Sequence, residues 1–233
     1  MIPGSDVDGV AERARIPLSR RRVLRAAAGL ADRDGLDSLT MRRLAHEVGV
    51  EAMSLYHHVA NKEAVFDGLV EVVLGEIVAA VEEVDAPAPE EDWRALLRAR
   101  ILAAREVLLR HPWAPRVLES RGAMSPLITA YYDRVVGILR AGGFSFELAH
   151  RALHVLGSRA LGFTQELFQT DGGGNDDPAM LEQLADQFPN LAGMMAAHDD
   201  PDGTLGFCDA RFEFEFALDL ILEGLERRRV AGS

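Results

Sequence analysis

Between Leu39 and Lys62, two stretches of helical periodicity are separated by only Gly49-Val50-Glu51. The first starts at Thr40 and places Met41, Leu44, Ala45 and Val48 at helix spacing; the second runs roughly from Ala52 to Val59. A helix, a tight glycine turn and a second short helix make a helix-turn-helix. Leu44, Ala45, Val48, Val50, Leu55 and Val59 are spaced to pack the two helices on each other, with Ala45 small where they cross. That packing leaves the N-terminal half of the second helix facing outward, where it can enter a DNA major groove.

Net charge is −12, which at first sight argues against a polyanion partner. Its distribution reverses that reading. Residues 12–62 carry nine arginines and one lysine against six acids, a balance of +4 that leaves −16 on the rest of the chain. A basic head on an acidic body points to one end that meets nucleic acid and another that does not. The 233 residues are 48% apolar and 27% charged, ordinary for a globular protein. Apolar runs fall short of the roughly 18 residues that span a bilayer. Met1–Val10 lacks the basic start and apolar stretch of a secretion signal. With Cys208 the single cysteine, no intramolecular disulfide can form. A cytoplasmic protein with no membrane partner is expected.

The whole chain reads as helical, an all-α fold. Residues 1–17 read as an arm whose Arg13 and Arg15 have two readings, DNA contact or a solvated tail, the second favoured. Ser19 caps a first helix that ends at Asp34-Gly35. A fourth helix starts at Asn61 and a fifth runs from Trp93 to about Arg110, after a Pro- and acid-rich loop. Ser125-Pro126 starts a further helix that reaches Gly142-Gly143, and Ser145 caps one extending to about Phe168. Residues 171–177 read as a flexible segment, with a short helix after Pro178. The last helix spans about Cys208 to Arg229. Its opening, Arg211-Phe-Glu-Phe-Glu-Phe-Ala, alternates like a strand. Yet Phe212, Phe216 and Leu220, and Phe214, Leu218, Ile221 and Leu225, form two helical rows, which predicts a helix buried on two sides. The expected organisation is an arm (1–17), a DNA-binding helix-turn-helix domain (18–64) and a helical body (65–233).

The pattern Leu39-Thr40, Leu44-Ala45, Gly49-Val50, Leu55-Tyr56, His58-Val59 and Asn61-Lys62 closely resembles the Tet repressor family of transcriptional regulators. In the body, Gly143-Phe144-Ser145, Ala152-Leu153, Gly157 and Leu161-Gly162 resemble the ligand-binding and dimerising domain of the Tet repressor. The resemblance covers roughly residues 19–170 and the character of the last helix. It implies a ligand-responsive homodimeric repressor, released from a palindromic double-stranded operator by a small-molecule effector. The dimer would form through the helices near 145–168 and 208–229.

DNA contacts are assigned by residue type. Arg42 matches a base-contacting arginine of the Tet repressor, and arginine can bond guanine bidentately. Arg43 is expected to reach phosphate. Ala52, Met53 and Ser54 open the recognition helix toward base edges; the first two can read thymine methyls but cannot hydrogen-bond a base through their side chains. Thr40 and Tyr56 are expected to donate hydroxyl bonds to phosphates, and Lys62 to attract phosphate at a helix N-terminus. For His57 and His58 two readings stand: groove or phosphate contact, or one of them packing under the helix against a backbone carbonyl.

Candidate ligand residues are His111, Trp113, Tyr131, Tyr132, His150, His154, Arg159, Phe163 and Gln165, of which His111, Trp113, Tyr132, His154 and Phe163 are favoured. His111 matches a histidine that in the Tet repressor holds magnesium together with tetracycline. The other polar partners are not evident in this sequence, and no metal or cofactor is expected. An alternative for His111 is a helix-end cap before Pro112. His150 and His154 have zinc-compatible spacing, but no third ligand accompanies them, so a dimer-interface or pocket role is favoured. Other readings are a constitutive DNA binder without a sensor, and an activator, which sequence does not separate from a repressor. No phosphate loop or nucleophile elbow supports an enzyme, and no catalytic residue is expected.

Overall fold

Caps and glycines set the boundaries of the first helices. α1 (Arg20–Asp34) begins after Ser19, whose hydroxyl accepts the Arg22 N–H at 3.3 Å, and ends at Gly35. A 3-10 turn (Leu36–Ser38) leads to α2 (Met41–Val48), where the Thr40 hydroxyl accepts the Arg43 N–H at 3.2 Å. Such caps satisfy N–H groups that helix geometry leaves open, worth about 0.5–2 kcal/mol each. α2 stops in a Schellman turn. Gly49 takes φ 71° and ψ 39°, its N–H donates to the His46 carbonyl, and the Val50 N–H donates to the Ala45 carbonyl at 3.0 Å. This computed structural model describes residues 17–121, 126–162, 187–190, 193 and 210–232. The arm with Arg13 and Arg15, the cap Ser125, Phe163, Gln165, the segment 171–177, the expected helix after Pro178 and Cys208 lie outside the described residues, as does the side chain of Arg159.

α3 (Ala52–Leu55) is a single turn, shorter than its sequence predicts. Residues 56–58 form turns, and the His58 and Val59 N–H groups both donate to the Leu55 carbonyl, at 2.8 and 2.9 Å. The reason is a shortage of anchors: in this segment only Leu55 and Val59 are buried. α4 (Lys62–Glu82) starts where Asn61 Oδ1 accepts the Ala64 N–H at 2.8 Å.

The chain divides into two compact units between Val72 and Val73. In the first, α1 packs on α2 and α2 on α3. Val23, Leu24, Ala27, Leu44, Ala45, Leu55 and Leu69 are buried. A Cβ placed on Gly68 would stand 2.3 Å from Leu24 Cδ2, so α1 and α4 meet where α4 carries no side chain. Arg20–Glu71, Arg33–Glu47 and Arg43–Asp34 ion pairs tie the rim of this unit. Exposed pairs of this kind contribute about 0–1 kcal/mol each, so the apolar core does most of the holding.

The second unit contains α5 (Pro89–Arg110), α6 (Ala114–Ser120), α7 (Pro126–Ala141), α8 (Phe146–Gly162) and α9 (Ala210–Ala231). α5 breaks at Asp92, which is non-helical and caps the longer part of the helix by accepting the Arg94 and Ala95 N–H groups. The main body of α5 therefore starts at Trp93. α5 packs on α7, α7 on α8, and α8 and α5 on α9. Their shared core includes Trp93, Leu97, Leu139, Phe144, Ala152, Phe214 and Leu218. Trp93 meets the Phe144 ring edge-on at 4.6 Å and donates its indole N–H to Glu226 at 3.2 Å. Among the described residues there is no β-strand, and α9 is helical from its alternating start.

The two apolar rows of α9 have different fates. Phe214, Leu218, Leu222 and Leu225 are buried in the core. Phe212, Phe216 and Leu220 are 62%, 56% and 55% exposed. Among the described residues α9 is thus buried on one side only.

Candidate DNA-reading face and ligand cavity

The short α3 and the start of α2 present the candidate DNA contacts. Leu55 and Val59 point inward, which turns Met53, 74% exposed, together with Tyr56 and His57, outward. Ala52, Ser54 and His58 are half-buried. Of the two histidines, His57 is therefore the one on the open side. Arg42 is exposed and has no ion pair among the described residues. Arg43 is held: its guanidinium donates to Asp34 at 2.5 Å and to the Ser38 carbonyl at 3.3 Å. Thr40 uses a hydroxyl lone pair for the helix cap, which leaves its O–H free to donate. Lys62 places Nζ 5.2 Å from the Phe66 ring centroid. The sequence did not single out Gly68, because a glycine inside a helix reads as a weakness until its neighbour is known.

In the second unit a cavity of about 80 Å³ opens among Val81 of α4, Leu97, Arg100 and Ile101 of α5, Tyr131, Tyr132, Arg134, Val135 and Ile138 of α7, and Leu153, Leu156 and Gly157 of α8. Drug-sized pockets run to roughly 300–1,000 Å³, so an occupant is either small or widens this space. Of the favoured ligand residues, Tyr132 lines the cavity. Burial, and after it the neighbouring Tyr132, pushes the Tyr131 phenol above its ordinary value, against a pull from Arg100.

His111 and Trp113 are buried side by side, with ring centroids 5.4 Å apart, and are not among the cavity's lining residues. His111 Nε2 lies 3.2 Å from Glu76 on α4. Burial works against the Glu76 carboxylate, but bonds from His111 and Arg110 more than offset it and hold its pKa below the ordinary range. No group of three His, Cys, Asp or Glu suited to a metal ion occurs among the described residues. His154 is exposed on α8 with its ring 4.6 Å from that of His150. Arg100, Tyr131, Tyr132 and Arg134 are the polar residues among the described lining of the cavity. Arg100 went unnoticed in the sequence because it sits among other α5 arginines that read as a solvated face.

A helix-turn-helix with an outward-facing recognition turn, joined to a helical bundle that encloses a cavity, defines a DNA-binding regulator with a sensing body. Residues 23–69 match the family described as "Bacterial regulatory proteins, tetR family", and residues 86–229 match "Tetracyclin repressor-like, C-terminal domain". An HTH-type transcriptional regulator of Saccharopolyspora erythraea is 36% identical over 127 residues, 54% of this chain and 51% of that protein. The tetracycline repressor protein class A from transposon 1721 of Escherichia coli is 30% identical, over 91% of this chain and 93% of that protein. The structure of ActR from Streptomyces coelicolor in complex with actinorhodin is 28% identical, with a TM-score of 0.67 over 92% of this chain and 99% of that one. The chain belongs to the tetR family of transcriptional regulators. Members of this family are regulators rather than enzymes, and they bind operator DNA and small-molecule effectors as dimers. No helix of the described residues is long and apolar enough to cross a membrane.

Proposed function

We propose that this regulator is a cytoplasmic, ligand-responsive homodimeric repressor, and that a small molecule in the α4–α5–α7–α8 cavity releases it from a palindromic operator. The observation that carries this reading is the course of α4. It begins at Lys62, next to the recognition turn, and brings Val81 into the cavity wall. A ligand that moves α4 can therefore change the placement of the reading residues. His111, holding Glu76 of the same helix, is suited to transmit such a movement. Support for a small-molecule effector comes from the tetracycline repressor relative and from ActR, solved with actinorhodin.

The organisation we assign is an arm (1–17), a reader (18–64) and a sensor (65–233). In the reader, Arg42 and the outward side of α3 (Ala52, Met53, Ser54) meet bases. Thr40, Tyr56, His57 and Lys62 meet phosphates or the groove wall, and His58 supports the turn. Arg43 reaches phosphate only by leaving Asp34, a small cost for an exposed pair. The two recognition helices of a dimer lie about one turn of DNA, roughly 34 Å, apart. A ligand shifts this arrangement only if it binds the released state better.

The test is a labelled operator duplex, obtained by selection from a random pool, titrated with protein and then with a panel of small aromatic compounds. Release of the duplex by a compound that binds saturably supports the mechanism. A compound that occupies the cavity and leaves operator affinity unchanged contradicts it.

A further inference from the structure

The polar wall of the cavity holds a cation whose hydrogen bonds are incomplete. Arg100 Nε is buried and has no hydrogen-bond partner among the described residues. Its neighbours are differently placed. Arg98 is paired with Asp219 and Glu215, and Arg134 with Glu82. A buried donor without an acceptor carries a desolvation penalty, larger when the donor is charged. A buried group of this kind calls for an explanation, and a bound ligand or ion that supplies the acceptor is one. Among the described residues that line the cavity none is acidic. The Tyr131 phenol is held in its neutral form by burial, so it can donate a hydrogen bond but does not balance the charge. Most of the remaining wall is aliphatic.

We infer that the effector is an organic acid, an anionic oxygen on an apolar body, with Arg100 as the residue that anchors the anion. This rests on the reading of the cavity as the effector site and names the class of compound it takes. An ionised acceptor is the strongest partner for a guanidinium and is bound in a fixed, forked geometry. The aliphatic wall takes the body of the ligand, and Tyr131 and Tyr132 flank it. A neutral analogue of the same shape fills the space but leaves Arg100 without its counter-ion.

The experiment uses near-isosteric pairs in which a neutral amide replaces the carboxylate: benzoate and benzamide, and 2-naphthoate and 2-naphthamide. Each is titrated calorimetrically into the full-length wild type, R100K and R100M. In the wild type the acids bind at least about 10-fold more tightly than the amides. R100M loses about 10–100-fold in affinity for the acids, the loss expected for a hydrogen bond to a charged group, and changes little for the amides. R100K retains an intermediate preference. Circular dichroism checks folding; if R100M does not fold, the wild-type ratio and R100K carry the test. Amides that bind as tightly as acids, or acids that bind R100M as tightly as wild type, overturn the inference while the cavity remains a ligand site. Binding of no member of either series removes the cavity reading and this inference with it.

Discussion

Adjacent arginines on α2 illustrate how far residue type alone goes. Arg42 and Arg43 are both exposed and both basic, yet the first is free of ion pairs among the described residues while the second is tied to Asp34. The sequence shows two candidates for DNA, and the fold ranks them. Replacing Arg42 with alanine is expected to weaken specific operator binding by about 1–3 kcal/mol and to relax preference at one base position. The melting temperature should stay near wild type, so binding titrations and thermal scans together check the prediction. Gly68 works in the opposite sense. Gly68→Ala forces a methyl into Leu24 and should destabilise the protein by about 1–3 kcal/mol, as overpacking does. Adding Leu24→Ala to it should give a less-than-additive loss, because the two sites share one space. Denaturant melts of the two single variants and the double variant measure this.

At the scale of elements, caps and turn glycines were legible because each is local chemistry: Ser19, Thr40, Asn61 and Ser145 each accept a backbone N–H of the helix they begin. The length of α3 was not, because propensity could not say that Tyr56 and His57 lack a surface to pack on. The cavity was illegible for another reason: its wall gathers Val81, Arg100, Tyr132 and Leu153 from four helices, and no spacing in the sequence encodes that convergence. Two carboxylates of α9 carry a pH signature. Hydrogen bonds from Arg211 and Arg98 hold Glu215 below its ordinary 4.5, and Arg229 does the same for Glu226. Their folded pKa values lie below the unfolded ones, so the stability they contribute is full above about pH 4.5 and is lost as pH falls through the folded values. The melting temperature should therefore drop below about pH 4.5, and Glu226→Gln should flatten part of that slope. Scans at fixed ionic strength between neutral and acid pH test this.

For the whole molecule, the exposed row Phe212, Phe216 and Leu220 matters most, since an apolar stripe of this kind marks an interaction surface. The sequence reads the stripe as helical, and the family resemblance implies a dimer through this helix; in the protomer Phe212, Phe216 and Leu220 are exposed, as residues of such a seam would be. Phe216→Glu should shift the protein toward monomer in sedimentation and reduce operator affinity, since one reading head makes half the contacts. If the variant remains a dimer, the seam lies elsewhere. The basic head, +4 over residues 12–62, also predicts DNA binding that weakens steeply as salt rises, because each phosphate neutralised releases counter-ions. The measurement that tests the account most directly is selection of bound sequences from a random duplex pool by the full-length protein at fixed salt. The account predicts an enriched palindrome whose two half-sites lie about one helical turn apart. Absence of enrichment, or a single unpaired half-site, would contradict a dimeric reader of DNA.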